Sequence, residues 1–218
     1  MQLDHDTLKT RQREIRDGFN ESLGLRVHRA LSWLNRAEQE SKDDDARFIF
    51  LWVAFNAAYA TNIDSTTHFS EKSQFSQFLK RLVDSDGEKL ISKLVWEKFS
   101  SSIRLLMDNQ HIFQPYWDHI NGDLTDAEWR SKFDESKARA HKALSRSDII
   151  GVLKVMFDRL YVLRNQLIHG AATWNSQVNR KQVRDGADIM GHLVPVIIHI
   201  MMEHGAEVWG EAYYPVVD

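Results

Sequence analysis

Arg164 and His169 place a permanent cation and a titratable imidazole near the end of one long apolar-striped helix, within the run Arg164-Asn165-Gln166-Leu167-Ile168-His169-Gly170. That pair suits cleavage of RNA by its own 2′-hydroxyl without a metal. A base takes the hydroxyl proton, an acid protonates the departing 5′-oxygen, and a cation stabilises the charge gathering on the phosphorane. Histidine changes charge near neutrality, and the carbonyl end of a helix favours the imidazolium, which fits a proton donor. Arginine keeps its charge and grips phosphate through parallel N–H donors. Asn165 is suited to orienting the imidazole or the substrate. Because DNA lacks the nucleophile, such chemistry selects RNA without reading bases.

Spacing decides how these groups can meet. Tyr161, Asn165 and His169 recur every four residues and share a helix face. Arg164 precedes His169 by five, which turns it roughly 140° around the axis and sets it about 7.5 Å along it. A single helix therefore serves one pocket with both only if Arg164 bends round or the helix unwinds at its end. A two-fold pairing of such helices is the other route, with two Arg and two His gathered across an interface.

The elements that must position them read as helices almost throughout, with no period-two strand and no internal repeat. Three Pro and ten Gly in 218 residues leave long uninterrupted runs, and 43% hydrophobic content with seven Trp and eleven Phe argues for a filled core. One domain suffices for this length. Residues 23–40 set Leu23, Val27, Ala30, Leu31, Leu34 and Ala37 on one side of an amphipathic helix. Asp43, Asp44 and Asp45 supply cap and first-turn carboxylates for the next helix, residues 46–60, where capping is favoured over metal binding. That helix is apolar almost all round, so it must be central. Its interior amide, Asn56, needs hydrogen-bonding company and can either sit satisfied in the core or line a site.

Residues 61–145 are more polar and more broken, with helical pieces near 71–84, 88–106, 113–120 and 125–144, the last opened by a capping-box pattern from Thr125 to Glu128. Ser147 is a cap for the helix carrying the motif. Ile149, Leu153, Met156, Leu160, Leu163 and Leu167 step along that helix as a narrow seam, and Gly170 suits the left-handed turn that ends it. A last helix over residues 177–204 carries Gly191 and Pro195, where an interruption or kink is expected.

Arg164, Asn165 and His169, late in an all-α chain, together with the apolar helix running from Phe50 to Tyr59, make the chain resemble the HEPN superfamily, in the branch with Apea-like domains. The resemblance covers residues 23–60 and 147–206. It implies an antiparallel helical bundle over 1–218, with 61–145 as a helical insertion. It further implies a metal-independent endoribonuclease of toxin–antitoxin or phage-defence type, with the active site at a homodimer interface. Arg164, Asn165 and His169 take the catalytic positions by that likeness. An antitoxin or another regulatory protein is an implied partner, and a non-catalytic module binding RNA, nucleotide or protein is the alternative. Where a Tyr receives a nucleotide in some silenced HEPN toxins, two residues after the His, this chain has Ala171. Control by that modification is thus not implied.

Supporting phosphate contacts are expected from Arg180, Lys181 and Arg184, which follow the motif after its turn, and substrate contacts from Tyr161 and Asn56. Trp174, in the intervening loop, can stack on a base or pack against the protein, and packing is the expectation. Residues 123–186 hold 12 Lys and Arg against 8 Asp and Glu and form the net positive stretch of a chain whose charge is −3. His199 and Glu203, four apart, do not make a metal site by themselves, and no cofactor is implied. Cysteine is absent, which excludes thiolate nucleophiles and disulfides. The opening residues carry no secretion-signal pattern, and the longest apolar stretch, 193–202, is short for a bilayer, so a cytoplasmic chain without a membrane partner is expected.

Overall fold

The computed structural model describes residues 3–59, 71–204 and 209–212, and among them the chain is all-α, with no β-strand. It groups into two compact units, Met1–Ile91 with Gly186–Asp218, and Ser92–Asp185. This partition differs from a core of 23–60 and 147–206 with one insertion, because the motif helix groups with the residues just before it. The expected role of residues 60–70 lies outside the described residues.

In the first unit, three carboxylate or amide side chains start three helices. Asp4 accepts from the Thr7 amide ahead of α1 (His5–Ile15), Asn20 from Leu23 ahead of α2 (Glu21–Glu38), and Asp43 from Ala46 at the head of α3 (Asp44–Tyr59). Each satisfies an amide that the first helical turn leaves orphaned. The six apolar residues expected along α2 are all buried, and α2 packs on α3. No described residue of α3 is fully exposed, as a helix without a polar face requires. Phe55 and Tyr59 of α3 meet Phe75 and Phe78 of α4 (Glu71–Ser85), and Phe78 lies 6.0 Å from the buried Trp209.

Arg26 is fully buried on the apolar side of α2. Its guanidinium donates to the carbonyls of Ala58 and Tyr59, the last residues of α3, and to those of Trp209 and Gly210. A cation there meets the negative end of the α3 dipole and satisfies carbonyls that have no helical donor.

The last helix, α10 (Arg180–Glu203), continues through Pro195, so of the expected interruption or kink the interruption does not occur. Proline removes one N–H, and burial of the helix on both sides of it outweighs that loss. Gly191, one turn earlier, leaves room for a neighbour, since a Cβ there would lie 2.5 Å from Arg47 Nη2. By length and composition α10 could cross a membrane, yet 72% of its most apolar window is buried inside the protein.

In the second unit, α5 (Leu90–Lys93) leads into a π-helical turn over Leu94–Lys98, followed by α6 (Ser100–Met107), where the sequence suggested one helix. Buried Val95, Phe99, Ile103 and Met107 recur every four residues. In a regular α-helix each such step overshoots by about 40° and the stripe would wind away. The wide turn, closed by the Phe99 amide on the Leu94 carbonyl at 2.9 Å, absorbs that drift. A short turn at Gln110–Ile112 and α7 (Gln114–Ile120) follow, and the capping box of Thr125 and Glu128 opens α8 (Asp126–Ser145).

The motif helix, α9 (Ile149–Ile168), is capped by Asp148, which accepts from the Gly151 amide at 2.9 Å. Ser147, the residue expected in that role, sits instead at φ 53 and turns the chain into the helix. The narrow seam is also broader than expected. Val152, Val155, Phe157 and Val162 are buried beside Leu153, Met156, Leu160 and Leu163, whereas Ile149 and Leu167 are only half-buried. Helix α9 is thus buried along most of its length within its unit.

Candidate functional site

Burial of α9 stops at its last turn, and there the motif begins. Leu163 is buried, Arg164, Asn165, Gln166 and Leu167 are half-buried, and Ile168, His169 and Gly170 are exposed. The helix ends because Gly170 takes φ 72, a conformation that is strained for any residue with a Cβ. His169 is the cap residue, its amide donating to the Asn165 carbonyl at 2.9 Å. The chain then folds back, with the Ala172 amide donating to the Gln166 carbonyl at 3.0 Å.

Arg164 is held from two sides. Its Nη1 donates to Asn165 Oδ1 at 2.9 Å, and its guanidinium carbon lies 5.8 Å from the centre of the Tyr161 ring, one turn back. Asn165 therefore touches the guanidinium through its side chain, while its carbonyl accepts the ordinary helical bond from the His169 backbone amide. Arg164 Nε is buried and has no hydrogen-bond partner among the described residues. The Arg164 residue as a whole is half-buried.

A second clamp steadies this turn. Gln166 Nε2 donates to the His111 carbonyl at 2.7 Å, and Trp117 Nε1 donates to the same oxygen at 2.8 Å. The His111 ring sits edge-on to Tyr116, their centroids 5.3 Å apart. Neither Gln166 nor His111 stands out in the sequence, because no periodicity links residues 55 positions apart.

Deeper along α9, Arg159 is fully buried. Its guanidinium lies over the rings of Phe113 at 4.3 Å and Phe133 at 5.5 Å, and Nη2 donates to Ser136 Oγ and the Met107 carbonyl. Burial pushes this guanidinium down to about 10, against a smaller opposing pull from Asp158. It ties α6, α8 and α9 together below the motif and has no open face toward substrate.

After the motif, Arg180 is half-buried and Nη1 donates to Asn175 Oδ1 at 3.1 Å, while Lys181 and Arg184 are exposed. Tyr161 is 52% exposed. Trp174, expected from the sequence to pack, stands in the loop before α10. It is 71% exposed, because the turn at residues 173–176 carries it outward. Asn56 lies half-buried on α3, in the first unit.

His199 and Glu203, four apart on α10, are each engaged by another residue. His199 faces Glu88 at 3.6 Å, and Glu203 accepts a fork from Arg11 Nε and Nη2 at 2.7 and 2.9 Å. That fork holds the Glu203 carboxyl below its usual range. Among the described residues no group of three or more His, Asp and Glu gathers as a metal site.

Comparison of the chain with family models, with curated proteins and with solved structures returns no match.

Proposed function

We propose that the protein is a metal-independent endoribonuclease of HEPN type, with His169 transferring protons, Arg164 stabilising phosphate charge and Asn165 positioning both. The observation that carries this reading is the exposed end of α9, where Asn165 Oδ1 accepts from the Arg164 guanidinium and His169 stands as the cap residue. A phosphodiester placed there meets a cation and an imidazole with the 2′-hydroxyl as nucleophile. One imidazole serves one proton transfer well, so a second copy of the chain supplies the other His169 and completes the site as a homodimer. Arg180, Lys181 and Arg184 extend phosphate contact along the strand. Action in a toxin–antitoxin or phage-defence setting, with a protein inhibitor, follows from the resemblance to HEPN proteins.

The test is incubation of purified protein with single-stranded RNA in EDTA. Cleavage leaving 2′,3′-cyclic phosphate ends is expected, with His169→Ala and Arg164→Ala each losing it. Cutting that survives both substitutions refutes the assignment. Failure of the parent to cut any of several RNAs, while still binding them, transfers the site to a non-catalytic binding module. Cleavage by a protein that is monomeric in light scattering removes the shared-site part of the proposal.

A further inference from the structure

Attack by a 2′-hydroxyl needs two proton transfers on opposite sides of phosphorus, because the attacking and leaving oxygens lie roughly in line. One imidazole reaches one of them. A second exposed imidazole, His111, is tied to the helix end that carries His169. Its amide donates to Asn109 Oδ1 at 2.8 Å, and its carbonyl accepts from Gln166 Nε2 at 2.7 Å and from Trp117 Nε1 at 2.8 Å. Its ring sits edge-on to Tyr116, with centroids 5.3 Å apart. Among the described residues, neither the His111 ring nor the His169 ring hydrogen-bonds through its nitrogens.

The Gln166 bond fixes where His111 stands. From the His111 carbonyl to the His169 Cα the path is one hydrogen bond, one glutamine side chain and three helical residues, so their separation is at most about 13 Å. Seen down α9, His169 lies between Gln166 and Asn165, about 60° from the first and about 40° from the second. The His111 turn therefore flanks His169 on one side, and Asn165, which accepts from Arg164, flanks it on the other.

We infer that His111 is a further catalytic residue of the RNA-cleaving site, the base that takes the 2′-hydroxyl proton while His169, at the carbonyl end of α9, protonates the departing 5′-oxygen. The O2′–P bond forms as P–O5′ breaks, which leaves a 2′,3′-cyclic phosphate and a 5′-hydroxyl, with one proton gained by His111 and one given up by His169. This inference rests on the ribonuclease reading for the reaction. It gives each chain its own pair of imidazoles, whether or not a second copy brings another.

The test uses a single-stranded RNA that the parent cuts in EDTA, with either oxygen or sulfur as the bridging 5′ atom at the cut, since a departing thiolate needs no proton. His111→Ala should lower kcat by about 10²- to 10⁴-fold on both substrates, with little change in KM, and added imidazole should restore part of the rate. His169→Ala should lose the oxygen substrate and regain the sulfur one. Because the His111 ring is exposed and its backbone bonds survive the substitution, the urea midpoint of His111→Ala should match the parent's. Unchanged cleavage by His111→Ala overturns the assignment and leaves the ribonuclease reading intact. A loss that imidazole does not restore makes His111 structural and overturns it as well. Recovery of His111→Ala on the sulfur substrate overturns its role as the base. Failure of the parent to cut any RNA overturns the ribonuclease reading and this inference together.

Discussion

Each compact unit buries one arginine completely, and the two guanidiniums are held in contrasting ways. Arg26 spends its donors on backbone carbonyls at the end of α3 and at Trp209 and Gly210. Arg159 lies over the neighbouring rings of Phe113 and Phe133, with one hydroxyl and one carbonyl as acceptors, and its Nε has no hydrogen-bond partner among the described residues. Burial pushes both down to about 10, with Arg81 adding to the effect on Arg26. The cost of holding these charges is therefore present at every pH below about 10, since each folded-state value lies below the unfolded one. Carbonyls repay that cost with strong hydrogen bonds, aromatic faces with weaker attraction. Residues 92–185 also hold 15 Lys and Arg against 11 Asp and Glu, while the rest of the chain holds 13 against 20. The unit with the motif is the basic one. In it a third arginine, Arg164, stays half-buried, unlike Arg26 and Arg159.

The sharpest break in this comparison lies between Arg164 and the two buried arginines. His169→Ala should lower RNA cleavage by about 10²- to 10⁴-fold, and Arg164→Ala by about 10²- to 10³-fold. Neither should move the urea midpoint noticeably, because both residues stand at the last turn of α9, outside its buried stretch. A large fall in stability with either variant would mean that the site is structural.

Arg26→Met reverses the pattern. It strands the Ala58, Tyr59 and Trp209 carbonyls without donors, and we expect a loss of about 3–5 kcal/mol in urea-induced unfolding. Arg159→Met should cost only about 1–2 kcal/mol, since an apolar chain over two Phe rings avoids the burial of a charge. Equal losses would show that the aromatic cradle holds its guanidinium as firmly as the carbonyls do.

The smallest effect concerns pH. Glu203 is held below its usual 4.5 by the Arg11 fork, against some opposing burial. Its contribution is complete above about pH 4.5 and is lost as pH falls through the lower folded-state value. Arg11→Met should therefore show a shallower drop in urea midpoint between pH 7 and pH 3 than the parent. An identical drop would assign the acid sensitivity to other carboxylates.

Much of the fold follows from local rules. The α2 face, the central α3, the Asp43 cap and the Thr125–Glu128 box are readable because period, propensity and capping act within a few residues. The placement of Arg164 and His169 at a helix end terminated by Gly170 is readable for the same reason. Arg26 and Arg159 were not, since a charged residue on an apolar face looks like an interruption until its distant acceptors are known. Nor was the π turn, whose cause is the need to keep Val95, Phe99, Ile103 and Met107 on one side.

From its sequence alone the chain determined that it is helical, where its helices are capped, and that a guanidinium and an imidazole end one of them. Tertiary structure decided which arginines are consumed in the interior and which stays half-buried. It also set Gln166 against His111 and left Trp174 exposed. Those outcomes depend on desolvation and on partners up to 184 residues apart, quantities that no local pattern of residues encodes.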